Sequence, residues 1–263
     1  MMASTQITCV LFDMDDTLID WSGSEGNWKE TERKHLRLVY DFLTDRGCAP
    51  NATLEHFSLV YREQVLEGWA EGRTTLRAPQ MIKIMKSVLE NFDVLFDESL
   101  TIEAVLKAYN WRGMDGVEVF PDVPNALQKL LDRDIKIGIL TNAFQPMWMR
   151  DAELERFGLL QYFPDVQTRM SAADIGYLKP SPNVFTKALE NMGTSVAETI
   201  YVGDNLVADI SGAQGVGMRA VLREIHSTPS LASTFIAPDA VVKGLDDLLP
   251  LVEDWDKHVT PQV

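Results

Sequence analysis

The chain has 263 residues, 46% hydrophobic and 24% charged, with a formal net charge of −15. That composition supports a sizeable buried core, either as one large domain or as a domain with an insert. The acidic field disfavours nucleic acid and anionic membrane surfaces as partners, and an anionic substrate would bind only where a metal ion and local cations reverse the sign.

Cys9 and Cys48 are the only cysteines, and no Cys/His cluster has zinc spacing. Cys9 lies in an apolar run and reads as a buried, reduced thiol. Met1 to Gln6 carries no basic segment, and no apolar run approaches the ~20 residues of a membrane span. A cytoplasmic protein is expected.

The first apolar run, Ile7–Phe12, predicts a strand. Residues from Asp20 to about Asp115 then read as helices only, over Glu30–Arg46, Thr53–Ala70, Pro79–Asn91 and Thr101–Trp111. Gly47, Pro50, Gly72 and Pro79 punctuate them. Strand and helix then alternate. Val123–Asp132 is helical, Ile135–Leu140 a strand, Phe163–Thr168 a weaker strand, and Ser181–Met192 a helix with Ser181 as N-cap, Pro182 at its first position and Gly193 after its end. Thr199–Val202, Arg219–Leu222 and Ala240–Val242 are further strands, Leu206–Gly215 and Leu245–Val252 further helices, and Glu253–Val263 a loosely held tail. The strands are continuous apolar runs, the pattern of a parallel sheet covered on both faces. The expected fold is α/β, a Rossmann-like doubly wound parallel sheet formed by 1–19 and 116–263, with an all-helical insert at 20–115.

Chemistry collects where the strands end. Ile7–Phe12 runs into Asp13-Met14-Asp15-Asp16-Thr17-Leu18. In an open parallel sheet ligands bind beyond the carboxyl ends of the strands, and side chains two apart in an extended segment point the same way. Asp13 and Asp15 can therefore share one site, where a hard cation such as Mg²⁺ would relieve their repulsion. An aspartate is also a competent nucleophile toward phosphorus. The next strand ends in Thr141-Asn142, a hydroxyl and backbone N–H groups suited to phosphoryl oxygens. Lys179, held by Pro180 before a helix, offers a fixed cation. Gly203-Asp204 ends a third strand, and Asp204 reads as a further metal ligand. Asp209, five residues on, either serves the same site or complements a helix dipole.

These motifs, Asp13 to Leu18, Thr141-Asn142, Lys179-Pro180 and Gly203-Asp204 with Asp209, closely resemble those of the haloacid dehalogenase-like hydrolase superfamily, and the resemblance runs from about Ile7 to about Leu249. It implies an Mg²⁺-dependent phosphatase acting on a small-molecule phosphate monoester. Asp13 would attack phosphorus and form an aspartyl-phosphate. Asp15 would act as acid and then base, and would ligate the metal through its main-chain carbonyl. Thr141 and the backbone near Asn142 would hold the phosphoryl group, and Lys179 would pair with Asp13. Asp204 would ligate the metal and Asp209 support it. The resemblance also makes 20–115 a cap that closes over the site, with Gly23 and Gly26 as candidate hinges or plain loop glycines.

Alternatives from the same superfamily are a phosphomutase and a 2-haloacid dehalogenase. The second is disfavoured because displacement at carbon needs neither Asp15 nor a metal. Phosphonate cleavage through a cap lysine, Lys83 or Lys86, and a catalytically silent phosphometabolite-binding module are further options. Trp21, Trp28, Trp69 and Trp111 lie in or beside the insert and are expected to serve helix packing first, with the wall of a substrate pocket as the alternative for some of them. Arg62, Arg73, Arg77 and Arg112 are candidate contacts for an anionic substrate, with solvated surface as the default. The sequence leaves monomer or homodimer open.

Overall fold

The computed structural model describes residues 6–24, 28–225 and 235–257. Gly26, residues 1–5 and the tail residues 258–263 lie outside them. In chain order the elements begin with β1 (Cys9–Phe12), β2 (Ile19–Asp20), α1 (Trp28–Asp45), α2 (Leu54–Thr75), α3 (Met81–Asn91), α4 (Ile102–Tyr109) and β3 (Glu118–Val119). They continue with α5 (Val123–Leu131), β4 (Lys136–Thr141), α6 (Met147–Arg156), β5 (Arg169–Ser171), α7 (Ala172–Ile175), α8 (Pro182–Met192) and β6 (Thr199–Gly203). A π-helical turn (Leu206–Ser211), α9 (Gly212–Gly215), β7 (Arg219–Arg223), β8 (Ala240–Val242) and α10 (Leu248–Lys257) complete the fold.

Six strands form one sheet in the order β5-β4-β1-β6-β7-β8, every neighbouring pair parallel. β1 is central, with Phe12 level with Ile139 of β4 and Val202 of β6. Its four residues are buried, Val10 and Phe12 in one apolar cluster and Cys9 and Leu11 in the other. Because both faces are covered, these strands read as continuous apolar runs. The strand order reverses direction between β4 and β6, on either side of β1, which is where such sheets open a crevice.

The chain leaves the sheet through β2 and returns through β3, and these pair antiparallel, Ile19 with Val119 and Asp20 with Glu118. Just beyond, the two chain segments cross at Gly23 and Gly116. A Cβ on Gly23 would lie 2.5 Å from the Gly116 carbonyl oxygen, and Gly116 has a φ of +78°. Glycine is required there by contact and by conformation. Between the crossings lie α1–α4. Thr53 and Thr101 cap α2 and α4 by accepting from the N–H groups of His56 and Ala104. Their inward faces, including Leu36, Phe57, Tyr61, Met85 and Leu106, belong to the same apolar cluster as Val10 and Phe12. No helix among the described residues is long and apolar enough to cross a membrane.

Several elements differ from their sequence pattern. α2 runs past Gly72 to Thr75, because Gly72 serves close packing: a Cβ there would meet the Arg77 carbonyl oxygen at 2.8 Å. The strand expected over Phe163–Thr168 is displaced to Arg169–Ser171. Asp165 accepts from the Gln167 N–H and winds Val166–Thr168 into a 3₁₀ turn instead. α6 escaped the reading because its inward face carries Arg150 and Glu153, which break the apolar period. Ser181 occupies the N-cap position of α8 without making a side-chain capping bond, while Pro182 and Gly193, at φ +61°, sit as expected. Leu206–Gly215 is not one α-helix, since its first six residues form the π-helical turn. The expected tail starts inside α10, which extends to Lys257.

Candidate active site

Asp13 directly follows β1, and its N–H donates to the Val202 carbonyl, so the residue stays on the sheet edge. Its carboxyl group is buried and accepts from Lys179 Nζ at 2.7 Å. Lys179 Nζ also donates to the Tyr201 hydroxyl at 2.9 Å, which donates in turn to the Leu140 carbonyl. Asp209 Oδ1 lies 2.7 Å from the same Nζ, an ion-pair contact without hydrogen-bond geometry. Asn142 fixes the lysine's backbone: its Oδ1 accepts from the Lys179 N–H at 2.8 Å and its Nδ2 donates to the Lys179 carbonyl at 3.2 Å.

Asp13, Asp204 and Asp209 each offer a carboxylate oxygen, all within 4.8 Å of one another. The π-helical turn explains how Asp209 arrives there. Asn205 caps the Val207 and Ala208 N–H groups, and its carbonyl receives both the Asp209 and Ile210 amides. The widened turn points Asp209 at the sheet, where its Oδ2 accepts from the Asn205 N–H. Gly203 makes the room, since a Cβ there would lie 2.5 Å from the Asp209 carboxyl carbon.

Burial, and then the Asp209 and Asp15 carboxylates, push Asp13 above the usual carboxylate range even though Lys179 opposes them. Burial, Asp209 and Asp16 carry Asp204 to about 7. Burial alone would lower Lys179, but Asp13 and Asp209 outweigh it and hold the ammonium well above its ordinary value. Lys179 thus contacts two of the three close carboxyl groups, Asp13 and Asp209, and leaves Asp204 without a contacting cation among the described residues. That excess of negative charge, presented by hard oxygen donors, fits a divalent cation such as Mg²⁺.

Asp15 points elsewhere. Its Oδ2 accepts from Thr141 Oγ1 at 3.1 Å, and its Oδ1 accepts from Trp21 Nε1 at 2.9 Å and Arg150 Nη2 at 2.6 Å. Its side chain therefore does not join the group of three carboxylates, where Asp209 stands instead. Thr141 engages Asp15, and Asn142 positions Lys179. Arg150 Nε lies 3.0 Å from Glu153 Oε2, an ion-pair contact without hydrogen-bond geometry, and Oε2 accepts from Trp111 Nε1 at 3.1 Å. Tyr201, Arg150 and Glu153 were not found from sequence. The proximity of α6 to the end of β4 was the one available signal.

A cavity of about 810 Å³ opens from Asp15 and Asn142 toward α1 and α2. All four tryptophans of the insert region line it. Trp111 belongs to the main apolar cluster and Trp21 and Trp69 pack against it, so these three serve packing as well, while Trp28 is 52% exposed. Of the four candidate arginines, Arg62 and Arg73 line it. Arg77 instead lies over the Tyr177 ring, and Arg112 donates to Asn110.

The model of the haloacid dehalogenase-like hydrolase family matches residues 7–217, from before β1 to just before β7. The chain belongs to that family. This hydrolase is 28% identical over 256 residues to the ribulose-1,5-bisphosphate 5-phosphatase of Halopiger xanaduensis, covering 93% of this chain and 99% of the relative. It is 27% identical to the glyceraldehyde 3-phosphate phosphatase of Methanopyrus kandleri, covering 82% and 83%. In structure it is similar to a 2-haloacid dehalogenase from Pseudomonas syringae pv. Tomato, with a TM-score of 0.64 and 25% identity over 95% of this hydrolase and all of that chain.

Proposed function

We propose that this hydrolase is a phosphatase of small-molecule phosphate monoesters, working through a phosphoryl group carried on Asp13. The observation that supports it best is the pairing of a buried aspartate with a fixed lysine beside two further carboxylates, Asp204 and Asp209. Asp13, Asp204 and Asp209, with Asp15 through its main-chain carbonyl, would hold Mg²⁺. The cation, when bound, would offset the phosphoryl charge and the crowding of carboxylates. An Asp13 oxygen attacks phosphorus and the ester P–O bond breaks. Asp15 gives its proton to the departing oxygen. It then takes a proton from water as that water attacks the same phosphorus, which frees Asp13 and releases phosphate. Lys179 keeps the Asp13 oxygen in place and Asn142 keeps Lys179 in place. Thr141 holds Asp15 or the phosphoryl oxygens in turn.

We further propose that residues 20–115 form a cap domain over the remainder, hinged where Gly23 and Gly116 cross. Closure would exclude bulk water. Fold likeness to dehalogenases does not decide the chemistry, since one architecture hosts several reactions. The carboxylate cluster argues for phosphorus, because displacement at carbon needs no divalent cation.

The test is release of nitrophenol from p-nitrophenyl phosphate with Mg²⁺ and again with excess chelator. Release that stops with chelator is expected. Undiminished release in chelator would remove the metal from the scheme.

A further inference from the structure

The wall of the cavity is aromatic in an ordered way. Trp21, Trp28 and Trp111 form a run of near-parallel rings, with centroids 5.5 and 6.1 Å apart and interplanar angles of 14° and 8°. Trp69 and Phe144, in edge contact at 6.3 Å, line the same cavity. The indole N–H groups at the two ends of the run are satisfied, Trp21 by Asp15 and Trp111 by Glu153. Their orientation is thereby fixed, and apolar ring surface is what they offer a ligand. Trp28, between them, is 52% exposed although it is the largest kind of apolar side chain.

The run starts at the carboxyl group proposed to protonate the departing oxygen. The group attached to that oxygen therefore leaves along it. A cavity of about 810 Å³ is far larger than a two- or three-carbon phosphate requires, and falls in the range of pockets for drug-sized ligands. Arg62 in its wall is already bound to Glu32 at 2.7 Å, so it offers little to a second anionic group. Arg73 is exposed and screened by solvent.

Resting on the phosphatase reading, we infer that the favoured substrate class is a phosphate monoester whose alcohol carries a flat aromatic or heteroaromatic ring, stacked against the Trp21–Trp28–Trp111 run. A three-carbon aliphatic phosphate, of the kind named for the Methanopyrus kandleri relative, would fill too little of the cavity.

The experiment compares kcat/KM for benzyl and ethyl phosphate, whose alcohols are similar leaving groups, with Mg²⁺ present. It also compares binding of phenylphosphonate and methylphosphonate by calorimetry, which needs no turnover. A preference of about tenfold or more for the aromatic member of each pair is expected, in line with ring stacking. Trp28→Ala should bring both ratios below about threefold, and Trp28→Phe should keep most of them. Turnover of both esters with a ratio near one overturns the aromatic assignment and leaves the phosphatase standing. Tenfold tighter phenylphosphonate binding without turnover of either ester overturns the phosphatase reading and leaves the aromatic site standing. Equal binding without turnover overturns both.

Discussion

Replacing Arg150 by methionine keeps most of the side chain's volume and removes one buried cation. Arg150 serves Asp15, whose side chain is 35% exposed, and Glu153, whose side chain is wholly buried. The first contact is partly screened and contributes little to stability. The second leaves a buried carboxylate with Trp111 Nε1 as its one hydrogen-bond donor among the described residues, and Arg156 as the remaining cation acting on it. Breaking a buried pair from one side costs about 3–5 kcal/mol. For a chain of this size that is a loss of roughly 6–20 °C in Tm. Burial already raises the Glu153 pKa, with Arg150 opposing, so the variant raises it further. A raised carboxyl favours the folded state fully below its unfolded pKa and loses that contribution as pH climbs through the folded one. The deficit of Arg150→Met should therefore widen from pH 5 to pH 8, by up to about 1.4 kcal/mol per unit. Urea titrations at several pH values measure it. Adding Glu153→Gln should recover most of the loss at pH 8. A deficit below about 1 kcal/mol at pH 8, or one independent of pH, would refute the reasoning.

Gly203→Ala places a methyl group 2.5 Å from the Asp209 carboxyl carbon and should displace that carboxylate. A stability loss of about 1–3 kcal/mol is expected with a large fall in turnover, and normal turnover in steady-state assays would contradict the role given to Asp209. Gly116→Ala combines a left-handed φ with contact on the Gly23 carbonyl and should cost about 1–2 kcal/mol or more by denaturant titration. Burial pushes the Cys9 thiol up to about 12, so at pH 8 iodoacetamide should modify native protein at Cys48 alone, as peptide mapping would show.

The strands and their terminal carboxylates were legible because each central strand is a contiguous buried run, with its chemistry at the very next residues. Asp13 and Asp204 needed only that logic, whereas Lys179, beyond α7, was marked by Pro180 and the start of the next helix. Arg150 and Glu153 were not legible, since a polar pair turned inward erases the apolar period that reveals a helix. Asp209 was ambiguous because only a π-helical turn, set by Asn205, turns it from the helix end toward the sheet. The tryptophans were legible only in part. Trp21, Trp69 and Trp111 pack against the core as their apolar character suggests, but sequence does not distinguish packing from the wall of a cavity, and all four do line one.

The central claim is that Asp13 carries the phosphoryl group. Enzyme quenched during turnover of p-nitrophenyl phosphate with Mg²⁺ should be reduced with borohydride, which converts an aspartyl-phosphate to homoserine, and mapped by mass spectrometry. Homoserine at position 13, absent without substrate and absent from Asp13→Asn, is the predicted result. Homoserine at position 15, or normal turnover by Asp13→Asn, would contradict the account.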